Sequence, residues 1–168
     1  MNKTPVLLAR FCQLVLLAAG AFAIMSSAGA DAAVALARVT AIASPTTVAR
    51  GAHGTLTLTV AIKPGFHINA ADPGTRDLIP TTLALKGPAG ITFGKPQMPA
   101  AQTRTLPGIA KPIRVYSGKS IIHVPFTVAP GAHPGRAILG GALKYQGCSD
   151  SLCYPPTSAP ISAAVTVR

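Results

Sequence analysis

The amino-acid sequence predicts an all-β fold, a β-sandwich of short strands behind a removable leader. Two observations carry this: runs of strict apolar alternation, and turn-forming residues between them. Residues 55–62 set Leu56, Leu58, Val60 and Ile62 on one face, with threonines and Ala61 on the other. Ile122, Val124, Phe126 and Val128 repeat the pattern, with His123 and Thr127 turned the other way. Ile161, Ala163, Val165 and Val167 repeat it at the C-terminus. Side chains alternate across a strand with period two, so such runs are half-buried strands. Pro125 has no N–H to give a ladder, which predicts a sheet edge or a bulge at that point.

Lys63-Pro64-Gly65, Gly87-Pro88-Ala89-Gly90, Pro130-Gly131 and Pro134-Gly135 punctuate the runs. Short strands at this spacing suggest a sandwich. Residues 95–114 are rich in proline and in polar and basic side chains, with little alternation. They are expected to form a long loop over one end of the sandwich, and such loops are often functional. No internal repeat or second domain stands out.

Residues 1–30 have the pattern of a secretory signal peptide. Lys3 and Arg10 supply a positive start, and residues 11–25 are apolar and uncharged. That run is short for a membrane span of ~20 residues. Ala28-Gly29-Ala30 fits a small-residue cleavage site, so a mature domain is expected over residues 31–168. Cys12 follows Arg10 and Phe11, which break a lipoprotein pattern, and is expected to leave with the leader. Cys148 and Cys153 remain. A paired cysteine count in an exported chain implies a compartment where disulfides form, such as a bacterial periplasm.

The chain has 15 basic and 4 acidic residues, none of them glutamate, for a net charge of +11. Loss of Lys3 and Arg10 with the leader lowers this to +9. The basic residues are scattered singly, as at Arg38, Arg50, Lys63, Arg76, Lys86, Lys95 and Arg104, and aromatic residues make up only 5%. Without a basic run or helix, nucleic acid is not an expected partner. A solvated basic surface that steers an acidic partner fits better.

Cys148 and Cys153 flank Ser149-Asp150-Ser151-Leu152. On the residues alone several readings stay open. As a staple the pair closes a six-residue loop, which the chain-entropy argument puts at about 2 kcal/mol. A domain of this length does not need it. A structural zinc site needs four ligands, usually as two pairs, and His67, His123, His133 and Met98 are scattered. No metal or other cofactor is therefore expected, although copper(I) accepts two thiolates with a methionine, which keeps a copper-handling protein as an alternative. As a redox pair, the two thiols would face each other across a sharp turn if residues 145–147 end one strand and Tyr154 begins the next segment. A local pair of that kind is oxidised and reduced without unfolding a core. Asp150 is by type a turn former and a candidate tuner of thiol acidity. A non-catalytic binding or assembly sandwich with a permanent disulfide is the further alternative.

Tyr145-Gln146-Gly147-Cys148 followed by Cys153-Tyr154-Pro155-Pro156 resembles the active-site signature of the N-terminal periplasmic domain of the thiol:disulfide interchange protein DsbD. Gly65-Phe66-His67-Ile68-Asn69-Ala70 and Leu78-Ile79-Pro80-Thr81-Thr82-Leu83 are similar to segments of solitary members of that family, and Tyr116-Ser117-Gly118-Lys119 is a third match. The motifs fall in the family's order over about residues 33–168. The resemblance implies an immunoglobulin-like β-sandwich whose cysteines cycle between dithiol and disulfide. Cys148 and Cys153 would be the redox pair. In the family, electrons come from a thioredoxin-like domain, ultimately through a membrane domain, and pass to periplasmic disulfide isomerases or cytochrome c maturation thiol proteins. Thioredoxin-like partners joined by transient mixed disulfides, and a membrane thiol reductase, are the partners so implied, for a protein expected to be monomeric. The family's cap loop, which shields the pair, would fall near residues 113–118. The cysteines here are one residue closer than in the best-known members, and the acidic residues and phenylalanine of the cap are replaced. Arg114 and Val115 stand nearby, with Tyr116 as the expected shield. His67 and Asn69 sit where those members carry tyrosines, and Tyr145 opens the signature. The 168 residues carry neither a membrane domain nor a thioredoxin-like domain, so electrons are expected from a separate protein.

N-terminal sequencing of the exported protein is expected to begin near Asp31. An intact leader starting at Met1 would remove the cleaved, soluble form.

Overall fold

The computed structural model describes residues 35–106 and 111–168. The expected leader, with Cys12 and the cleavage site, and residues 107–110 of the expected loop lie outside the described residues. Twelve strands run in order: β1 (Ala37–Ser44), β2 (Thr47–Val48), β3 (His53–Ile62), β4 (His67–Asn69), β5 (Thr82–Lys86), β6 (Ile91–Phe93), β7 (Gln102–Arg104), β8 (Ile113–Ser117), β9 (Lys119–Val128), β10 (Gly135–Tyr145), β11 (Gly147–Cys148) and β12 (Thr157–Val167). No helix occurs among the described residues.

The alternation seen in the sequence becomes the inner face of a sandwich. One antiparallel sheet has the order β1-β3-β9-β6. A second has the order β2-β12-β10-β5, with β2 parallel to β12 and the rest antiparallel. From the first sheet Leu56, Leu58, Val60 and Ile62 on β3 and Ile122, Val124, Phe126 and Val128 on β9 are buried. From the second, Leu139, Leu143 and Tyr145 on β10 and Ile161, Ala163, Val165 and Val167 on β12 join the same cluster. Burying a large aliphatic side chain contributes about 1.5–3 kcal/mol, so this cluster is the main source of stability. All three expected strands therefore form, with the expected faces inward.

Pro125 is a partial correction. It lies in β9, an interior strand paired to β3 on one side and to β6 on the other. In an antiparallel strand the N–H and C=O of one residue point the same way. The Pro125 carbonyl accepts from the Gly94 amide at 2.8 Å, so the missing N–H faces residues 94–97, where β6 has already ended. No bond to β3 is lost. The proline occupies a local edge inside an interior strand.

The described parts of the expected loop, residues 95–106 and 111–114, are likewise more ordered than a loop. Gln97 bridges to His123, and Gln102–Arg104 form β7 against β8. Leu106 folds back and is buried with Ile113 and Val115, so the segment does cover one end of the molecule.

That end is a third sheet, of order β11-β4-β8-β7. It is fed by both larger sheets. β3 continues into β4 through a turn at Gly65 (φ 80°), and β8 continues into β9 through Gly118 (φ 63°). The Ile62 amide donates to the Gly118 carbonyl at 2.8 Å, holding the two bends level. β10 leaves the second sheet at Gln146 and becomes β11.

Gly141 on β10 sits at φ 147°, a conformation that side chains disfavour, and a Cβ there would collide with the backbone of Ala84 on β5. Gly140, its neighbour, has no such crowding: the nearest backbone atom would be 3.7 Å away. Gly141→Ala is expected to destabilise the domain by about 2–4 kcal/mol, and Gly140→Ala by less than about 1 kcal/mol. Urea unfolding midpoints of the two variants check the difference.

Candidate functional site

Cys148 ends β11 and is joined to Cys153 by a disulfide with Cα atoms 4.0 Å apart. The four residues between them fold into a tight turn. The Ser149 amide donates to the Leu152 carbonyl at 2.8 Å, and the Ser149 hydroxyl oxygen accepts from the amides of Ser151 and Leu152 at 3.3 and 3.0 Å. The Tyr154 amide donates to the Gly147 carbonyl at 2.9 Å, closing the segment back onto β11. The expected facing of the cysteines across a sharp turn is thus the observed arrangement. Their environments differ. Cys148 is only 1% exposed, whereas Cys153 and Leu152 beside it are exposed.

The strand register extends the pair into a row. Cys153 stands opposite Cys148, Cys148 opposite His67 on β4, and His67 opposite Ser117 on β8. Directly opposed residues share one face of a sheet. His67 is fully buried, and neither ring nitrogen has a hydrogen-bond partner. Burial pushes its pKa below the usual 6.5, the nearby Arg104 guanidinium pushes it the same way, and the Asp150 carboxylate opposes them. Its imidazole is therefore neutral at pH 7.

Arg104 on β7 donates to the Asp150 carboxylate at 3.0 Å, tying the covering segment to the turn between the cysteines. Asn69, buried two residues after His67, donates its amide to the Ile79 carbonyl at 2.9 Å and to Gln146 Oε1 at 3.2 Å. Gln146 Nε2 donates to the Tyr154 carbonyl at 3.3 Å. The Tyr154 ring in turn stands 6.0 Å from that of Phe66.

Of the residues singled out in the sequence, the structure gathers Cys148, Cys153, His67, Asn69 and Asp150. It turns Tyr116 and Tyr145 away. Tyr116 belongs to the main core with Ile68, on the opposite face of the third sheet from His67 and Ser117, and its hydroxyl accepts from the Ala71 amide at 3.2 Å. It does not stand over the sulfurs as a shield. Tyr145 is buried in the same core, its hydroxyl accepting from the Ala37 amide at 3.1 Å. Val115 is on the His67 face and fully buried, packed with Ile113, Leu106 and Leu78 in a small second core. Arg114 is paired with Asp72. Gln146 and Arg104 had no role in the sequence argument, although Gln146 lies inside the quoted signature. Met98 packs against the main core. Among the described residues no three His, Cys, Asp or Glu side chains converge as a metal site requires.

The model of the family described as the N-terminal region of the thiol:disulfide interchange protein DsbD matches residues 34–164. The crystal structure of the reduced DsbD N-terminal domain from Neisseria meningitidis is similar with a TM-score of 0.44 and 19% identity, over 66% of this chain and 77% of that one. The N-terminal periplasmic domain of ScsB from Proteus mirabilis is similar with a TM-score of 0.47 and 17% identity, over 74% of this chain and 44% of that one. A type I cohesin of ScaB from Pseudobacteroides cellulosolvens gives 0.44 and 13%, over 78% and 92%. No curated protein sequence matches the chain.

Stability is expected to fall on acidification. Above pH 6.5 His67 is neutral both folded and unfolded. Below it the unfolded chain takes up a proton that the buried, depressed imidazole refuses, so unfolding is favoured as pH falls toward the folded-state pKa. The slope from this one group reaches at most about 1.4 kcal/mol per pH unit. Urea midpoints between pH 7.5 and 5.5 should decline in the native protein and decline less in His67→Gln.

Proposed function

The chain belongs to the family of the DsbD N-terminal domain, and we propose that it relays electron pairs through the Cys148/Cys153 couple to or from thioredoxin-like proteins in the periplasm. The family supports a thiol–disulfide exchange module of immunoglobulin-like sandwich fold. The observation that carries the finer proposal is the unequal exposure of the two sulfurs in one short disulfide. Exchange proceeds by attack of a thiolate on one sulfur, through a mixed disulfide. Access selects Cys153 as that sulfur. A partner thiolate bonds to Cys153 Sγ, the Cys148–Cys153 bond breaks, and Cys148 takes the electron pair as the leaving thiolate. A second partner thiolate then attacks the partner's own sulfur in the mixed disulfide. The partner leaves oxidised, and the module holds two electrons and, after protonation, two thiols. The reverse sequence oxidises the module.

The surroundings suit this use. Leu152, the residue before Cys153, is 58% exposed, giving a partner apolar surface beside that sulfur. The turn is closed by local hydrogen bonds, so opening the S–S bond leaves both sulfurs within one turn. A membrane thiol reductase is the proposed source of electrons, and the domain is proposed to act as a monomer.

Cys148→Ala leaves Cys153 free and is expected to trap a mixed disulfide with a thioredoxin-like protein. Cys153→Ala is expected to trap several-fold less. Non-reducing gels of envelope extracts from the two variants decide. Equal trapping removes the assigned asymmetry. Absence of trapping in both, with a midpoint potential below about −300 mV, would point instead to a binding sandwich with a permanent disulfide.

A further inference from the structure

Three buried side-chain atoms among the described residues have no hydrogen-bond partner, and all lie on β4: both ring nitrogens of His67 and Oδ1 of Asn69. An unpaired buried polar group costs about 1–3 kcal/mol, so an imidazole with neither nitrogen satisfied needs a reason. Its register supplies one. His67 is directly across the ladder from Cys148. Opposed residues of an antiparallel pair have Cβ atoms about 4.5–5.5 Å apart with their side chains on one face. The sulfur of a disulfide has no proton to give. The same sulfur as a thiol has one, and as a thiolate it accepts hydrogen bonds. A thiol or thiolate, present opposite His67 only when the pair is reduced, would supply the partner that the imidazole lacks.

We infer that His67 is the base that takes the Cys148 thiol proton during oxidation of the pair. The inference rests on the exchange role proposed above. The reduced pair first attacks a partner disulfide through the Cys153 thiolate, forming the Cys153–partner bond and releasing one partner thiolate. Cys148 must then attack Cys153 Sγ, and it must do so as a thiolate. An exposed thiol loses its proton to water, but Cys148 is 1% exposed. The proton passes instead to a ring nitrogen of His67. The Cys148–Cys153 bond forms, the Cys153–partner bond breaks, and the partner leaves as its second thiolate with the electron pair. The imidazolium then passes its proton to the departing partner thiolate, the base freed in the same step, and the ring is neutral again. In the reductive direction the ring N–H donates to the departing Cys148 thiolate.

The charged and titratable groups facing the imidazole are few. β7 brings Arg104, the disulfide turn brings Asp150, and β11 brings Cys148 itself, while β8 contributes the uncharged Ser117. Burial and Arg104 keep the ring neutral, which is the state that accepts a proton. The same guanidinium favours a thiolate nearby.

The reduced full-length exported protein is mixed with 5,5′-dithiobis(2-nitrobenzoate). The first nitrothiobenzoate released reports attack by Cys153, and the second reports resolution by Cys148. His67→Gln is expected to slow the second release by about tenfold or more at pH 7 and to remove its acid-side ionisation, with the first release unchanged. A second release at the native rate and with the native pH profile overturns the inference. A measurement on the native protein covers a variant that fails to fold. The His67 ring signals, followed by NMR against pH, should titrate at different midpoints in the oxidised and reduced forms, and an identical titration overturns the inference equally. The reagent needs no biological partner. A failure to trap thioredoxin-like proteins would therefore tell against the relay alone and leave the base assignment to be decided by these two readouts.

Discussion

One residue, Gln146, carries the chain from the second sheet into the third, and the site depends on how it is held. Its carbonyl accepts from the Asn69 backbone amide at 3.2 Å, and its side chain reaches the Asn69 side chain, the Ile79 amide and the Tyr154 carbonyl. These bonds fix the register of β11 on β4. A slip of one residue would put Gly147 opposite His67 and turn Cys148 to the other face. The neighbours serve the same end. Tyr145 pins the end of β10 to Ala37 through its hydroxyl. Gly147 has no side chain because a Cβ there would stand 2.5 Å from Leu36 Cδ1. In the stretch Tyr145-Gln146-Gly147-Cys148, the first three residues place the fourth.

Charge around the site is spent on placement more than on stability. The Arg104–Asp150 pair is exposed, at 41% and 75% for the two side chains, and exposed pairs contribute about 0–1 kcal/mol. What the pair does is bring opposite charges to bear on one buried imidazole, with the cation the stronger influence. Asp150 lies between the two cysteines, so its distance from His67 is tied to the conformation of the disulfide turn. The remaining basic residues are dispersed over a chain of net charge +11. A dispersed basic surface of this kind acts on long-range encounter more than on local contacts.

Strands β3, β9 and β12 were legible because period-two alternation is a local property of the chain. Each needed only its own seven or eight alternating residues to declare a face. β7 was not legible. Gln102, Thr103 and Arg104 are exposed or half-buried, and their strand exists only because β8 lies beside them. The cysteine pair was legible from its flanking motif. The roles of Tyr116 and Tyr145 were not, because proximity in sequence to a motif says nothing about which face of a strand a side chain takes. Register decides that, and register comes from partners tens of residues away. Ser117 and Tyr116 are adjacent, yet one shares the row of Cys148 and His67 while the other lies in the main core. Gln146 and Arg104 escaped for the same reason: apart from Tyr154, their side-chain partners are 46 to 77 residues distant. Pro125 misled because a proline is judged by its strand, whereas the cost depends on what stands opposite its nitrogen.

The short disulfide makes most sense as a device separated from the fold. Its loop spans a sequence separation of 5, and closing so small a loop contributes only about 2 kcal/mol by chain entropy. The two large sheets and their common core do not pass through it. The cysteines are held by a different set of forces: the β11–β4 ladder, the Gln146 bonds and the Ser149-capped turn. None of these requires the S–S bond. A bond that contributes little to the fold costs little to break, which is what repeated reduction demands. Sulfurs that remain in one turn after reduction re-form the bond quickly, because the loop-closure entropy has already been met by the backbone. With Cys148 buried and Cys153 exposed, attack by a partner in the proposed relay would be confined to one sulfur. Shortness and asymmetry, which would be faults in a staple, are the two properties the proposed relay would need in order to exchange electrons without disturbing the sandwich that carries it.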